Sequence, residues 1–172
     1  MKLFLCVAVA AACLWPSSAR ANELFGGLYV HDVESPLTLS GVEKGVDVQL
    51  GYRFGRIGRT PLQPYVFGAL NSAGETHYAA AGISAKFGKR LFIRPGIGLG
   101  VHTGDNADFE DPFDDDIEFG SRVLFVPEVA VGLQIAEKFS VEASLVHLSH
   151  GQIFGDQNPG IDNVGIRLNW RL

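Results

Sequence analysis

Leu91-Phe92-Ile93-Arg94-Pro95-Gly96-Ile97-Gly98-Leu99-Gly100-Val101-His102 is the stretch that decides the fold. Its odd positions carry leucine, isoleucine, proline and valine, and its even positions carry phenylalanine, arginine, glycine and histidine. A period of two is the mark of a β-strand with two unlike faces. The alternation outlasts the roughly five or six residues of a strand in a soluble protein and reaches the about nine to eleven that a tilted strand needs to cross a bilayer. Gly96-Ile97-Gly98-Leu99-Gly100 superficially matches a dinucleotide-binding loop, but it lies inside a strand with no helix after it.

The same period recurs on both sides. Val46, Val48, Leu50, Tyr52 and Phe54 alternate with Asp47, Gln49, Gly51, Arg53 and Gly55. At the end of the chain Val164, Ile166, Leu168, Trp170 and Leu172 alternate with Gly165, Arg167, Asn169 and Arg171. Segments 24–32, 62–71, 76–88, 121–135 and 139–149 complete a set of about eight strands. Short connections at 55–61, 88–90 and 136–138 alternate with longer ones at 34–44, 103–118 and 150–161, the pattern of an outer-membrane barrel with periplasmic turns and external loops. The expected fold is therefore all-β, an eight-stranded antiparallel transmembrane β-barrel that leaves no unpaired strand edge.

Composition agrees with this reading and excludes others. Of 172 residues, 47% are apolar and 19% charged, too apolar for a disordered tail. Residues 1–21 read as a cleaved signal peptide: Lys2, an apolar stretch from Leu3 to Leu14, then Ala19-Arg20-Ala21. Residues 22–172 would form the single barrel domain. Cleavage removes both cysteines, Cys6 and Cys13, so no disulfide supports the mature fold. It also leaves 12 basic residues against 19 acidic ones, which disfavours nucleic acid as a partner.

A barrel of this size is filled by side chains, so Arg53, Arg94, Arg122, Glu128 and Glu142 are expected to pack and pair inside it. Outside is where chemistry is expected. In segment 139–149 the lipid-facing parity runs through Val141, Ala143 and Leu145 to His147 and Ser149. On the next strand the outward series from Val164, stepped back once, reaches Asp162. A histidine, a hydroxyl and a carboxylate on one outer face are costly at a lipid boundary, and together they form a hydrolytic set. An interfacial girdle of polar residues is the plain alternative. Eight acids between Asp105 and Glu118 supply oxygen ligands suited to calcium but lack the spacing of an EF-hand, so a hydrated loop is the expected reading and no metal is assigned.

The run His147-Leu148-Ser149-His150-Gly151, followed by Asn158-Pro159-Gly160-Ile161-Asp162-Asn163-Val164-Gly165, resembles the C-terminal region of the lipid A 3-O-deacylase (PagL) family. Phe119-Gly120-Ser121-Arg122-Val123-Leu124-Phe125 resembles a second segment of that family. The resemblance implies an esterase in the outer membrane of a Gram-negative bacterium, facing the outer leaflet and cutting the 3-position acyl chain from lipid A of lipopolysaccharide. By position, Ser149 matches the nucleophile, His147 the general base and Asp162 the acid, where relatives often have glutamate. Asn158, with the amide of Gly151, matches a donor pair for the ester oxyanion, and no cofactor is implied. A catalytically inactive structural or lipid-binding barrel competes, favoured by Asp162 and by His150, where an asparagine commonly follows the serine. Whether the barrel pairs as a homodimer is left open.

Overall fold

Period-two alternation becomes a closed sheet in the computed structural model, which describes residues 21–35, 41–106, 117–153 and 159–172. The strands are β1 (Glu23–Val30), β2 (Val46–Arg53), β3 (Leu62–Asn71), β4 (Tyr78–Ala85), β5 (Phe87–Gly88), β6 (Leu91–His102), β7 (Val123–Gln134), β8 (Phe139–Leu148) and β9 (Ile161–Arg171). All pairings are antiparallel between chain neighbours, β1 pairs with β9, and pairing of β4 with β6 closes the circle. β5 continues β4 in the same register against β6, since Tyr78 pairs with His102 and Phe87 with Ile93. The break falls opposite Pro95, whose nitrogen has no hydrogen to give. Counted as continuous staves, the nine pieces make an eight-stranded barrel.

Parity sorts the residues as the sequence requires. Leu50, Leu70 and Leu91 are 63, 65 and 67% exposed on the outer wall, a hydrophobic belt that water would not tolerate and lipid would cover. Inside, glycines on one strand make room for aromatic rings from another. A Cβ on Gly51 would stand 2.3 Å from Phe25, and one on Gly132 would stand 2.2 Å from Phe92. The inward face of the deciding stretch likewise carries glycine at 96, 98 and 100, where a Cβ would crowd Glu128, Tyr65 and Val126.

The interior charges form one alternating chain. Glu23 pairs with Arg53 and Arg94 at 2.7 Å each; Glu142 pairs with Arg94 at 3.0 Å and Arg167 at 3.1 Å; Arg167 reaches Glu128 at 3.0 Å. Three arginines and three glutamates thus compensate one another away from water, the condition under which buried ions are tolerable. Arg122 is the exception to expectation. Pairing of β7 with β6 stops at Val123, opposite Val101, and Arg122 lies exposed, donating to the carbonyls of His102 and Gly104. The chain before it folds back so that Ile117 and Phe119 plug the mouth, and Glu23 and Arg167 complete the network that Arg122 was expected to join. Most of the acidic loop, 107–116, and residues 1–20 of the expected signal peptide lie outside the described residues.

Candidate active site

Turns at 54–61, 89–90 and 135–138 gather at one end of the barrel, and the loops joining β1 to β2, β6 to β7 and β8 to β9 gather at the other. The candidate site stands at the loop end, on the outer wall. β8 carries His147, and Ser149 follows one residue past its end, held by paired backbone hydrogen bonds with Phe125. Two residues along a strand return to the same face, so the imidazole and the hydroxyl share a side. The β8–β9 register places His147 directly opposite Asp162. A slip of one residue would turn Asp162 to the interior.

These placements connect the three groups. His147 Nδ1 lies 2.8 Å from Asp162 Oδ1, and His147 Nε2 lies 2.8 Å from Ser149 Oγ. With the carboxylate ionised, Nδ1–H donates to it and Nε2 is left to accept the serine proton. The shorter aspartate still reaches the imidazole, because its strand brings it into register rather than across a loop. Gly160 keeps this corner narrow: a Cβ there would meet the Leu148 carbonyl at 2.6 Å and Ser149 Cβ at 3.1 Å.

Outward parity was expected to leave the trio at the lipid boundary, yet Asp162 is fully buried and the side chain of His147 is 17% exposed. The cover comes from the segment after β1, which the sequence reading did not single out. Val33 N–H donates to the Asp162 carbonyl at 2.7 Å, and Ser35 Oγ donates to Asp162 Oδ2. Asp32, in the left-handed region at φ 46°, secures that segment: its Oδ2 accepts the N–H groups of Gly41, Val42 and Glu43 at 2.8, 2.8 and 3.1 Å. Alongside, His31 sits between Asp47 at 2.9 Å and Glu43 at 2.7 Å. Burial alone would push the imidazole down, but hydrogen bonds to the two carboxylates hold its pKa up at about 9. Burial likewise pushes Glu43 up, and the bonds from His31 and Thr76 outweigh it, so the carboxyl is lowered overall.

Of the expected oxyanion donors, Gly151 is exposed at φ 63° in a turn closed by Ile153 N–H donating to the His150 carbonyl at 3.1 Å. Asn158 lies outside the described residues. His150, next in the chain after Ser149, is fully buried.

A serine, an imidazole and a carboxylate linked in that order can form and hydrolyse an acyl ester, and comparison with known proteins bears on which one. The model of the family described as lipid A 3-O-deacylase (PagL) matches residues 48–171, most of the chain. The chain belongs to the lipid A 3-O-deacylase (PagL) family. It is accordingly an ester hydrolase with lipid A as the substrate of its family, carried on an outer-membrane β-barrel. Among solved structures, the outer membrane enzyme PagL matches with a TM-score of 0.62 and 18% identity, over 87% of this chain and 99% of that one. Neisserial surface protein A matches with a TM-score of 0.55 and 12% identity over 88% and 97% of the two chains. The Yersinia pestis outer membrane protein Ail gives 0.52 and 12% over 90% and 100%. No curated protein matches the chain. At these identities the structural likenesses speak for the barrel fold, and the family match speaks for the activity.

Proposed function

We propose that the protein removes the ester-linked acyl chain at the 3-position of lipid A, with Ser149 as nucleophile, His147 as general base and Asp162 as the group that orients and stabilises the imidazolium. The observation that carries the reading is the unbroken Asp162–His147–Ser149 connection, with both bonds 2.8 Å, on the outer wall at the loop end. His147 Nε2 takes the Ser149 proton as Oγ attacks the ester carbonyl. The amide of Gly151 and the side chain of Asn158 are assigned to the resulting oxyanion. Collapse expels the sugar hydroxyl, which takes its proton from His147, and leaves the fatty acid on Ser149. Water, deprotonated by His147, then releases the acid and restores the serine.

At the loop end Ile117 and Phe119 fill the lumen, so catalysis on the outer wall lets the substrate approach sideways from its own leaflet. The loop end is assigned to the outer leaflet on that account, and the signal at 1–21 to export. Mass spectrometry of lipid A from cells making the wild type or Ser149→Ala, both shown to be folded by heat-modifiable mobility, tests the proposal. Loss of one hydroxyacyl chain with the wild type alone is expected. Equal loss with Ser149→Ala would remove the serine from the mechanism, and intact lipid A in both would favour the inactive barrel.

A further inference from the structure

At the turn end, opposite the candidate active site, the lumen opens into a cavity of about 440 Å³, within the range of small-molecule sites. Lys86 forms part of its wall with only 6% of its surface exposed. Its Nζ donates to Gln134 Oε1 at 2.9 Å and lies 3.8 Å from the centroid of the Phe92 ring. Gln134 is itself pinned, donating to the carbonyls of Ala136 and Phe139 at 2.8 and 3.1 Å, so its oxygen is fixed toward the lysine. A neutral amide and a ring face are weak compensation for a desolvated ammonium, which ordinarily requires a carboxylate. Among the described residues none stands within ion-pair distance of Lys86.

A second observation points the same way. Asn169 also lines the cavity and is 2% exposed. Its Oδ1 is taken by Arg53 at 3.1 Å, while Nδ2, a donor, has no partner among the described residues. The two carboxylates that line the cavity are already paired: Glu23 is held by Arg53 and Arg94, and Glu137 faces solvent 3.7 Å from Arg171. Lys89, Arg90 and Lys138 add positive charge at the rim without ion pairs of their own among the described residues. The walls thus present spare donors and excess positive charge but no free acceptor of negative charge.

We infer that this cavity binds a phosphate-bearing anion, with Lys86 and Asn169 as its inner donors and the rim cations drawing it in. The chemistry fits a free phosphate from the aqueous side or the phosphate of an anionic phospholipid headgroup. It involves none of the residues of the candidate active site, so neither assignment depends on the other.

Calorimetric titration of the folded barrel in octyl glucoside with inorganic phosphate, in chloride buffer, tests the free anion. The ³¹P signal of phosphatidylglycerol in nanodiscs carrying the barrel tests the headgroup. Saturable phosphate binding weakened tenfold or more in Lys86→Gln supports a free anion. Silence toward phosphate, with broadening of the lipid signal that Lys86→Gln removes, supports the headgroup. Should Lys86→Gln fail to show heat-modifiable mobility, Lys89→Gln combined with Lys138→Gln, both on exposed turns, is expected to weaken binding severalfold. Absence of a saturable response to either probe, or a response indifferent to the folded variants, overturns the inference.

Discussion

The β8–β9 hairpin carries two pairs of opposite charge potential in register, and their fates differ completely. Glu142 stands opposite Arg167, and His147 stands opposite Asp162. The two pairs are separated by an odd number of residues, so the pleat sends the first into the lumen and the second to the outer wall. Inside, Arg167 also reaches Glu128, and Glu142 also reaches Arg94, so every charge is shared and nothing outside the protein can approach. Outside, His147 Nδ1 meets Asp162 and Nε2 lies 2.8 Å from Ser149 Oγ. The same register therefore puts one pair in the lumen and the other on the outer wall, and parity alone separates them.

The sharpest way to break this contrast is Asp162→Asn. The amide retains the shape of the carboxylate but not its charge, and favours the wrong tautomer of His147. A fall in kcat of order 10⁴-fold, measured by release of fatty acid from lipid A, is expected with the barrel still folded. A fall of less than tenfold would show that the carboxylate serves to hold the covering segment and not the reaction. Arg167→Met makes the complementary cut. It strands Glu128 in the interior and leaves Glu142 with Arg94 alone, and removal of one partner from a buried pair costs about 3–5 kcal/mol. A lower urea midpoint in lipid vesicles is expected, with kcat of the folded fraction within about twofold of wild type.

How far each region could be read without coordinates follows from the same geometry. The period-two faces of β2, β6 and β9 made the barrel legible, and stepping the outward series to His147, Ser149 and Asp162 brought out the candidate site. Parity does not say where a strand stops. Arg122 has the inward parity of Leu124 and Val126, but pairing ends at Val123 and the chain turns aside to plug the mouth with Ile117 and Phe119. Glu23 lies one residue before the point where the alternation was taken to begin, and it proved to bridge two arginines. The cover over Asp162 was illegible for another reason. Val33 and Ser35 meet a residue more than a hundred positions away, through a loop with no periodicity to extrapolate.

That cover offers a finer test. Ser35→Ala removes one donor from the buried carboxylate of Asp162 without touching His147 or Ser149. Hydrogen bonds to charged groups contribute about 1.5–3 kcal/mol, so a drop in kcat of roughly ten- to a hundredfold is expected, with KM little changed and with recovery in Ser35→Thr. Equal loss in the threonine variant would mean that the loop, and not the hydroxyl, is what matters.

The smallest effect concerns the His31 cluster that anchors the same loop. Its folded pKa of about 9 lies above the ordinary value of 6.5, so the protonated imidazole is favoured by folding. The stabilisation is complete below about pH 6.5 and is lost as pH rises through about 9. Glu43 acts in the opposite sense: its lowered pKa contributes stability at higher pH that fades as the carboxyl protonates in acid. Between these limits both bonds to His31 are charge-assisted, and the Asp32 contacts with Gly41, Val42 and Glu43 are held in place. Hydrogen exchange at those three amides, corrected for the intrinsic rise with hydroxide, should therefore accelerate between pH 7 and pH 9.5, while the interior strands around Arg167 stay protected. In His31→Gln the acceleration should vanish because the loop is already loosened at pH 7, and an unchanged profile in that variant would transfer the effect to another group. The interior network, built of arginines and glutamates with no histidine, provides the control that a loop titrating on its own requires.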